Sequence, residues 1–123
     1  MTQNTQQADQ QPTDEAQARR ALSTVNPDCG FHFYTAIGDY TGITATSLQD
    51  LTDKLSQVPL ASVRFHYERG DFQRWIRTLF CDPKLAEELA TIKPYFSDEA
   101  LRKEIITKIT EHIAHLKATM KES

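Results

Sequence analysis

Phe31-His32-Phe33-Tyr34-Thr35-Ala36-Ile37-Gly38-Asp39 is the stretch that decides the fold class. It is aromatic and β-branched, it sets Phe31, Phe33, Thr35 and Ile37 on one side, and it stops at a Gly-Asp turn, which predicts a strand. Tyr40 to Thr46 follows either as a returning strand, making a hairpin, or as an irregular loop. A hairpin on its own is marginal and needs a larger body to pack against.

That body is expected downstream, where the apolar period lengthens. Ser47 predicts an N-cap, and Leu48, Leu51, Leu55 and Val58 recur at helical spacing until Pro59. Leu60 to Arg69 predicts a second helix with Val63 and Tyr67 on one stripe and Phe65 off it, broken at Gly70. Asp71 is expected to cap a third, carrying Phe72, Trp75, Ile76 and Leu79. Asp82-Pro83 starts a fourth, since aspartate accepts free N–H groups and proline at the first helical position has none to leave unpaired. It carries Leu85, Leu89 and Ile92 and ends near Pro94. Ser97-Asp98-Glu99 opens the last helix, to about Met120, with acidic residues at its positive end and Lys117 and Lys121 at its negative end. The expected class is therefore α+β, predominantly helical: one short strand or hairpin over about 31–45 packed on about five helices. Phe31, Phe33, Leu51, Leu55, Phe72, Trp75 and Leu89 are the expected core.

Upstream of the strand the chain changes character. Residues 1–25 read as a disordered Gln-rich tail, with too little apolar surface to offset the entropy of ordering. Within it Glu15 to Leu22 has good helix formers and allows a short helical turn, but nothing apolar holds it down. The expected division is this tail, a helical core domain with an N-terminal strand at 26–96, and a long amphipathic helix at 97–123. A length of 123 residues allows one domain, and a formal charge of −3 supplies no global field to hold polyphosphate. Cys29 and Cys81 lie in neither a C-x-x-C nor a framework spacing, which fits a reducing, cytoplasmic compartment. No stretch approaches the ~20 apolar residues of a membrane span, and no cofactor is implied.

Several blocks carry a resemblance: Phe31-His32-Phe33-Tyr34, Thr46-Ser47-Leu48, Ser62 to His66, Arg69 to Arg77, then Asp82 and Leu85-Ala86. Together they resemble a family of small bacterial and archaeal domains of unknown function, over roughly Phe31 to Ile92. The most specific part is the F-H-x-E-R-G-D-F-x-x-W-I block, Phe65 to Ile76. The resemblance implies domain limits and no activity. Where the family pattern tends to show glycine before the last aspartate this chain has Cys81, which implies a differently shaped turn.

The residues with chemistry in them are few. His66 lies one turn before Asp71, an arrangement that either tunes a general base or joins two helices, with His66 on a backbone carbonyl and Asp71 as a cap. No serine, cysteine or second carboxylate is placed to complete a catalytic unit. Cys29, His32, His66 and Cys81 are the right types for tetrahedral zinc, with one close pair only. His112 and His115 stand three apart beside Glu111, as a metal pair or as exposed polar residues near a helix C-terminus. Arg64, Arg69, Arg74 and Arg77 interleave with Phe65, Tyr67, Phe72 and Trp75, and form either a partner or ligand surface or a solvated helix face.

In the last helix Ile106, Ile109, Ile113, Leu116 and Met120 follow the a/d spacing of a coiled coil, widened at the start by Leu101 and Ile105. This stripe docks on its own domain or forms a homodimer seam, and a helix of ~23 residues, ~35 Å, would overhang so small a domain. The leading expectation is a non-enzymatic protein-interaction or regulatory module, dimeric through that helix. The alternatives are nucleic-acid or anionic-ligand binding through the Arg64 to Arg77 face, and an enzyme or ligand-binding domain using His66 and Asp71.

Overall fold

A computed structural model of the chain describes residues 14–93 and 97–122. Its elements are α1 (Asp14–Ala21), β1 (Phe31–Tyr34), β2 (Tyr40–Ala45), α2 (Leu48–Leu55), α3 (Leu60–Arg69), α4 (Asp71–Phe80), α5 (Pro83–Ala90) and α6 (Asp98–Glu122), with a 3-10 turn at Pro27–Cys29 before β1. The class is the expected one, predominantly helical α+β with a two-stranded antiparallel hairpin. Phe31, Phe33, Leu51, Leu55, Phe72, Trp75 and Leu89 are all buried in one core.

The hairpin pairs Phe31 with Ala45, His32 with Thr44 and Tyr34 with Tyr40, with an irregularity between His32 and Tyr34. The first strand is shorter than the expected alternation. Beyond Tyr34 the chain closes on itself: the Thr35 amide donates to the Asp39 carbonyl at 3.1 Å, and the Asp39 amide to the Ala36 carbonyl at 3.0 Å. Ile37 is thereby carried off the apolar face and is 84% exposed. Gly30 allows the hairpin to start where it does, because a Cβ there would lie 2.7 Å from the Ala45 carbonyl oxygen.

Two helix starts follow their sequence signals. The Ser47 side chain accepts from the Asp50 amide at 3.0 Å, and Asp82 Oδ1 from the Leu85 amide at 3.1 Å. Asp71 does not behave as the expected cap. It is the first residue of α4, its side chain makes no capping bond, and Gly70 in the left-handed conformation (φ 75°) makes the corner between α3 and α4. Cys81 ends α4 in the same conformation, φ 51° and ψ 44°. The turn before Asp82 is therefore made by a cysteine in backbone space that glycine enters without a Cβ clash. Cys81→Gly should raise stability by about 0.5–1 kcal/mol, read as a higher midpoint in urea, and an unchanged or lower midpoint would show that the cysteine is not strained.

α6 is the axis of the molecule, with α1, α2, α3 and α5 all packed against it. This corrects one expectation and bears on a second. The stretch taken for tail forms α1, where Ala18 and Ala21 are buried, and Gln17 Nε2 donates to the Cys81 carbonyl at 3.3 Å. Two small side chains let α1 lie close to α6 and cover it. The α6 stripe, expected to dock on its own domain or to form a homodimer seam, is correspondingly packed on the chain itself. Ile109, Ile113 and Leu116 are buried, as are Leu101 and Ile105, and Ile106 and Met120 are half-buried against the same core. Residues 1–13 of the expected tail lie outside the described residues. Among the described residues no helix is long and apolar enough to cross a membrane.

Candidate functional site

Beside the hairpin, β1, the corner between α3 and α4, and the face of α4 enclose a cleft of about 640 Å³. Its floor is apolar, from Phe31, Phe65, Trp75 and Leu79, and its polar wall is His66, Arg69, Asp71 and Arg74. Ile37, the exposed residue of the hairpin turn, stands at its lip. The floor is rigid because its rings pack on one another. Phe31 stacks on Phe72 with centroids 4.8 Å apart and meets Trp75 edge-on at 5.6 Å, and the Trp75 indole N–H donates to the Cys29 carbonyl at 2.9 Å.

His66 locks α3 to β1. Its Nε2 accepts the Tyr34 backbone N–H at 2.8 Å, and its Nδ1 lies 2.8 Å from Asp71 Oδ2. A backbone N–H can only donate, so Nε2 is unprotonated and the ring proton sits on Nδ1, facing the carboxylate. The imidazole is neutral. Burial holds its pKa below the ordinary value; Asp71 pulls the other way and the Arg69 charge adds to the lowering. The expected helix-to-helix joint on a carbonyl is thus a strand-to-helix joint on an amide.

Asp71 gathers three donors. Oδ2 receives His66 Nδ1 and, at 3.0 Å, Arg69 Nε; Oδ1 receives Arg74 Nη1 at 2.8 Å. Burial works to raise its pKa, but the bonds from His66, Arg74 and Arg69 outweigh it and hold the carboxyl below the usual carboxylate range. The two guanidinium groups are oriented by the same carboxylate. Arg74 uses Nη2 on the Arg69 carbonyl at 3.1 Å. Arg69 lies with its Cζ 4.9 Å from the Phe65 ring centroid, and its Nη1 and Nη2 meet no acceptor among the described residues.

The candidate residues therefore separate. His66, Asp71, Arg69 and Arg74 come together. Arg64 leaves the group, pairing with Asp98 at 2.8 Å and Glu68 at 3.7 Å to tie α3 to the start of α6. Arg77 is exposed and outside the cleft. Cys29, His32, His66 and Cys81 are not assembled as a metal site: no group of three or more His, Cys, Asp or Glu that could hold a metal exists among the described residues. Both His66 nitrogens are engaged, His32 Nδ1 bonds Thr44 Oγ1 at 2.8 Å, and both cysteines are free thiols.

The His112 and His115 pair is also corrected. His115 is exposed, but His112 is buried with Nε2 2.6 Å from Asp82 Oδ2. Burial opposes ionisation of Asp82, yet His112, the Leu85 amide and Lys84 outweigh it and lower its pKa. One carboxylate thus caps α5 and fastens it to α6. The signal was present in the periodicity, since His112 falls between Ile109 and Leu116 on the apolar stripe, where an exposed residue has no place.

The chain belongs to the family of unknown function DUF5752. The match runs over residues 28–122, so the cleft and both His-Asp pairs lie inside it and α1 precedes it. No curated protein and no solved structure matches the chain. Family membership names no activity, and the geometry carries the functional reading.

Proposed function

We propose that this member of DUF5752 is a small non-catalytic binding module that holds an anionic organic ligand in the cleft between β1 and α4. The observation that carries this reading is the combination of an apolar aromatic floor with two guanidinium groups aligned by one carboxylate at its edge. Ligand sites have this form, mostly apolar with a few fixed polar groups, and within this range of volume. With His66 neutral, Arg69, Arg74 and Asp71 sum to one positive charge, which favours an anion. Engagement of both His66 nitrogens supports binding over acid-base catalysis, for which one nitrogen must be free to exchange a proton with substrate.

Nucleic acid is the weaker reading, because Arg64 is paired with Asp98 and Glu68 and Arg77 lies outside the cleft, so the four arginines do not line one shared surface there. A homodimer through α6 loses its main support, since the stripe that suggested it is covered in cis. Trp75, the one tryptophan of the chain, reports on the cleft directly. Titration with 1-anilinonaphthalene-8-sulfonate should quench Trp75 fluorescence at a stoichiometry near one. Arg69→Ala with Arg74→Ala should weaken binding about 100-fold while melting as a folded protein, and Arg19→Ala, on α1, should bind normally. Equal binding by the double variant, or no quenching in the natural protein, would overturn the reading.

A further inference from the structure

The unused atoms of Arg69 narrow the ligand. Its Nε is held by Asp71 and its Cζ sits over the Phe65 ring, so the guanidinium cannot turn freely. What remains is the outer edge, Nη1 and Nη2, with no protein acceptor among the described residues. An arginine anchored through Nε presents its other two nitrogens as a planar fork, the arrangement that takes two oxygens of one acid side by side. Arg74 differs: its Nη1 is on Asp71 and its Nη2 on the Arg69 carbonyl, so it contributes charge and fixes the loop more than it offers donors.

Charge then separates two kinds of acid. The polar wall carries a net single positive charge, and the Asp71 carboxylate stands beside it. A carboxylate neutralises that wall. A phosphate monoester, close to a dianion at pH 7, leaves an excess negative charge next to Asp71, in a setting where like charges are costly. The apolar floor of Phe31, Phe65 and Trp75 calls for a flat hydrocarbon face on the same molecule. The exposed Ile37 at the lip would be covered by the far side of such a ligand.

We infer that the cleft is specific for a small aromatic carboxylate, its acid group held side by side on Nη1 and Nη2 of Arg69 and its ring resting on the floor beside Trp75. This rests on the anion-binding reading above and adds the class of ligand and the residue that selects it. Nothing covalent is formed, and the ligand enters and leaves intact.

The test is competition against bound 1-anilinonaphthalene-8-sulfonate by three probes that share a ring system: 2-naphthoate, 2-naphthyl phosphate and 2-naphthamide. 2-Naphthoate should displace the dye with a Kd on the order of 100 μM, at least tenfold below the phosphate and the amide. Arg69→Lys keeps the charge but not the fork, and should narrow the preference for naphthoate over naphthamide about tenfold with its thermal midpoint little changed. If the phosphate competes as well as the carboxylate or better, the class of ligand is wrong while anion binding stands. Should the amide compete equally, or Arg69→Lys retain full preference, the fork is not what selects. If the dye itself never binds, both readings fall.

Discussion

His66→Ala should lower the unfolding free energy by about 3 kcal/mol, and should remove a pH dependence along with it. The loss has two parts. The ring fills space against Phe31 and Phe72, at centroid distances of 4.7 and 5.8 Å, so its removal leaves a void beneath the cleft. The Tyr34 amide also loses its acceptor, and β1 its attachment to α3. The pH dependence follows from the neutral ring. In the folded protein the His66 pKa is lowered from an ordinary value near 6.5. The unfolded chain thus takes up a proton before the folded one does, and the stabilisation, complete above about pH 6.5, is lost as the pH falls through the lower folded value. Urea unfolding at pH 7.5 and at pH 5 should show the natural protein weakening toward acid more than the variant does. Equal slopes would show that His66 is not the titrating group. Amide exchange supplies a second reading, since Tyr34 should exchange much faster in the variant while the middle of α6 keeps its order of protection.

The helices and hairpin were legible because local signals and tertiary demand coincide there. Ser47 and Asp82 cap because each sits where the apolar period begins, and the rings of β1 are buried on the face their alternation marks. The largest departures share a physical cause, in that each concerns a residue whose partner is far away in sequence. α1 reads as tail because eight residues with two small apolar side chains cannot hold themselves down, and the apolar stripe of α6 reads as seam or docked face alike because it exceeds what a smaller core could cover. Each supplies what the other lacked. The site behaved likewise. The approach of His66 to Asp71 is local and could be read from the F-H-x-E-R-G-D block, and Arg69 and Arg74 flank the same aspartate. That the acceptor on His66 meets the Tyr34 amide, 32 positions away, fixes the tautomer and makes His66 a joint between β1 and α3. No spacing encodes that contact.

Asp82→Ala should be about as damaging as the loss of His66, at about 3 kcal/mol, because one side chain performs two tasks in a dry place. Oδ1 caps α5 through the Leu85 amide and Oδ2 meets His112, with both side chains about 5% exposed or less. Alanine removes a cap, about 1 kcal/mol, and leaves a buried imidazole without its partner, about 1–3 kcal/mol more. Since the folded Asp82 pKa is lowered, its contribution is present above the ordinary carboxylate range and disappears as the pH falls through the folded value, so this joint should yield only in strong acid. The pair that joins β1 to α3 fails toward mild acid and the pair that joins α5 to α6 does not. Asp82→Ser with His112→Leu separates stability from specificity here. Serine keeps a capping oxygen and leucine suits the stripe between Ile109 and Leu116, so the double variant should lie within ~1 kcal/mol of the natural protein. A double variant as weak as Asp82→Ala would show that the polar pair contributes net stability. Near-equality would place its value in fixing where α5 sits against α6, and the measurement is a double-mutant cycle by urea unfolding at pH 7.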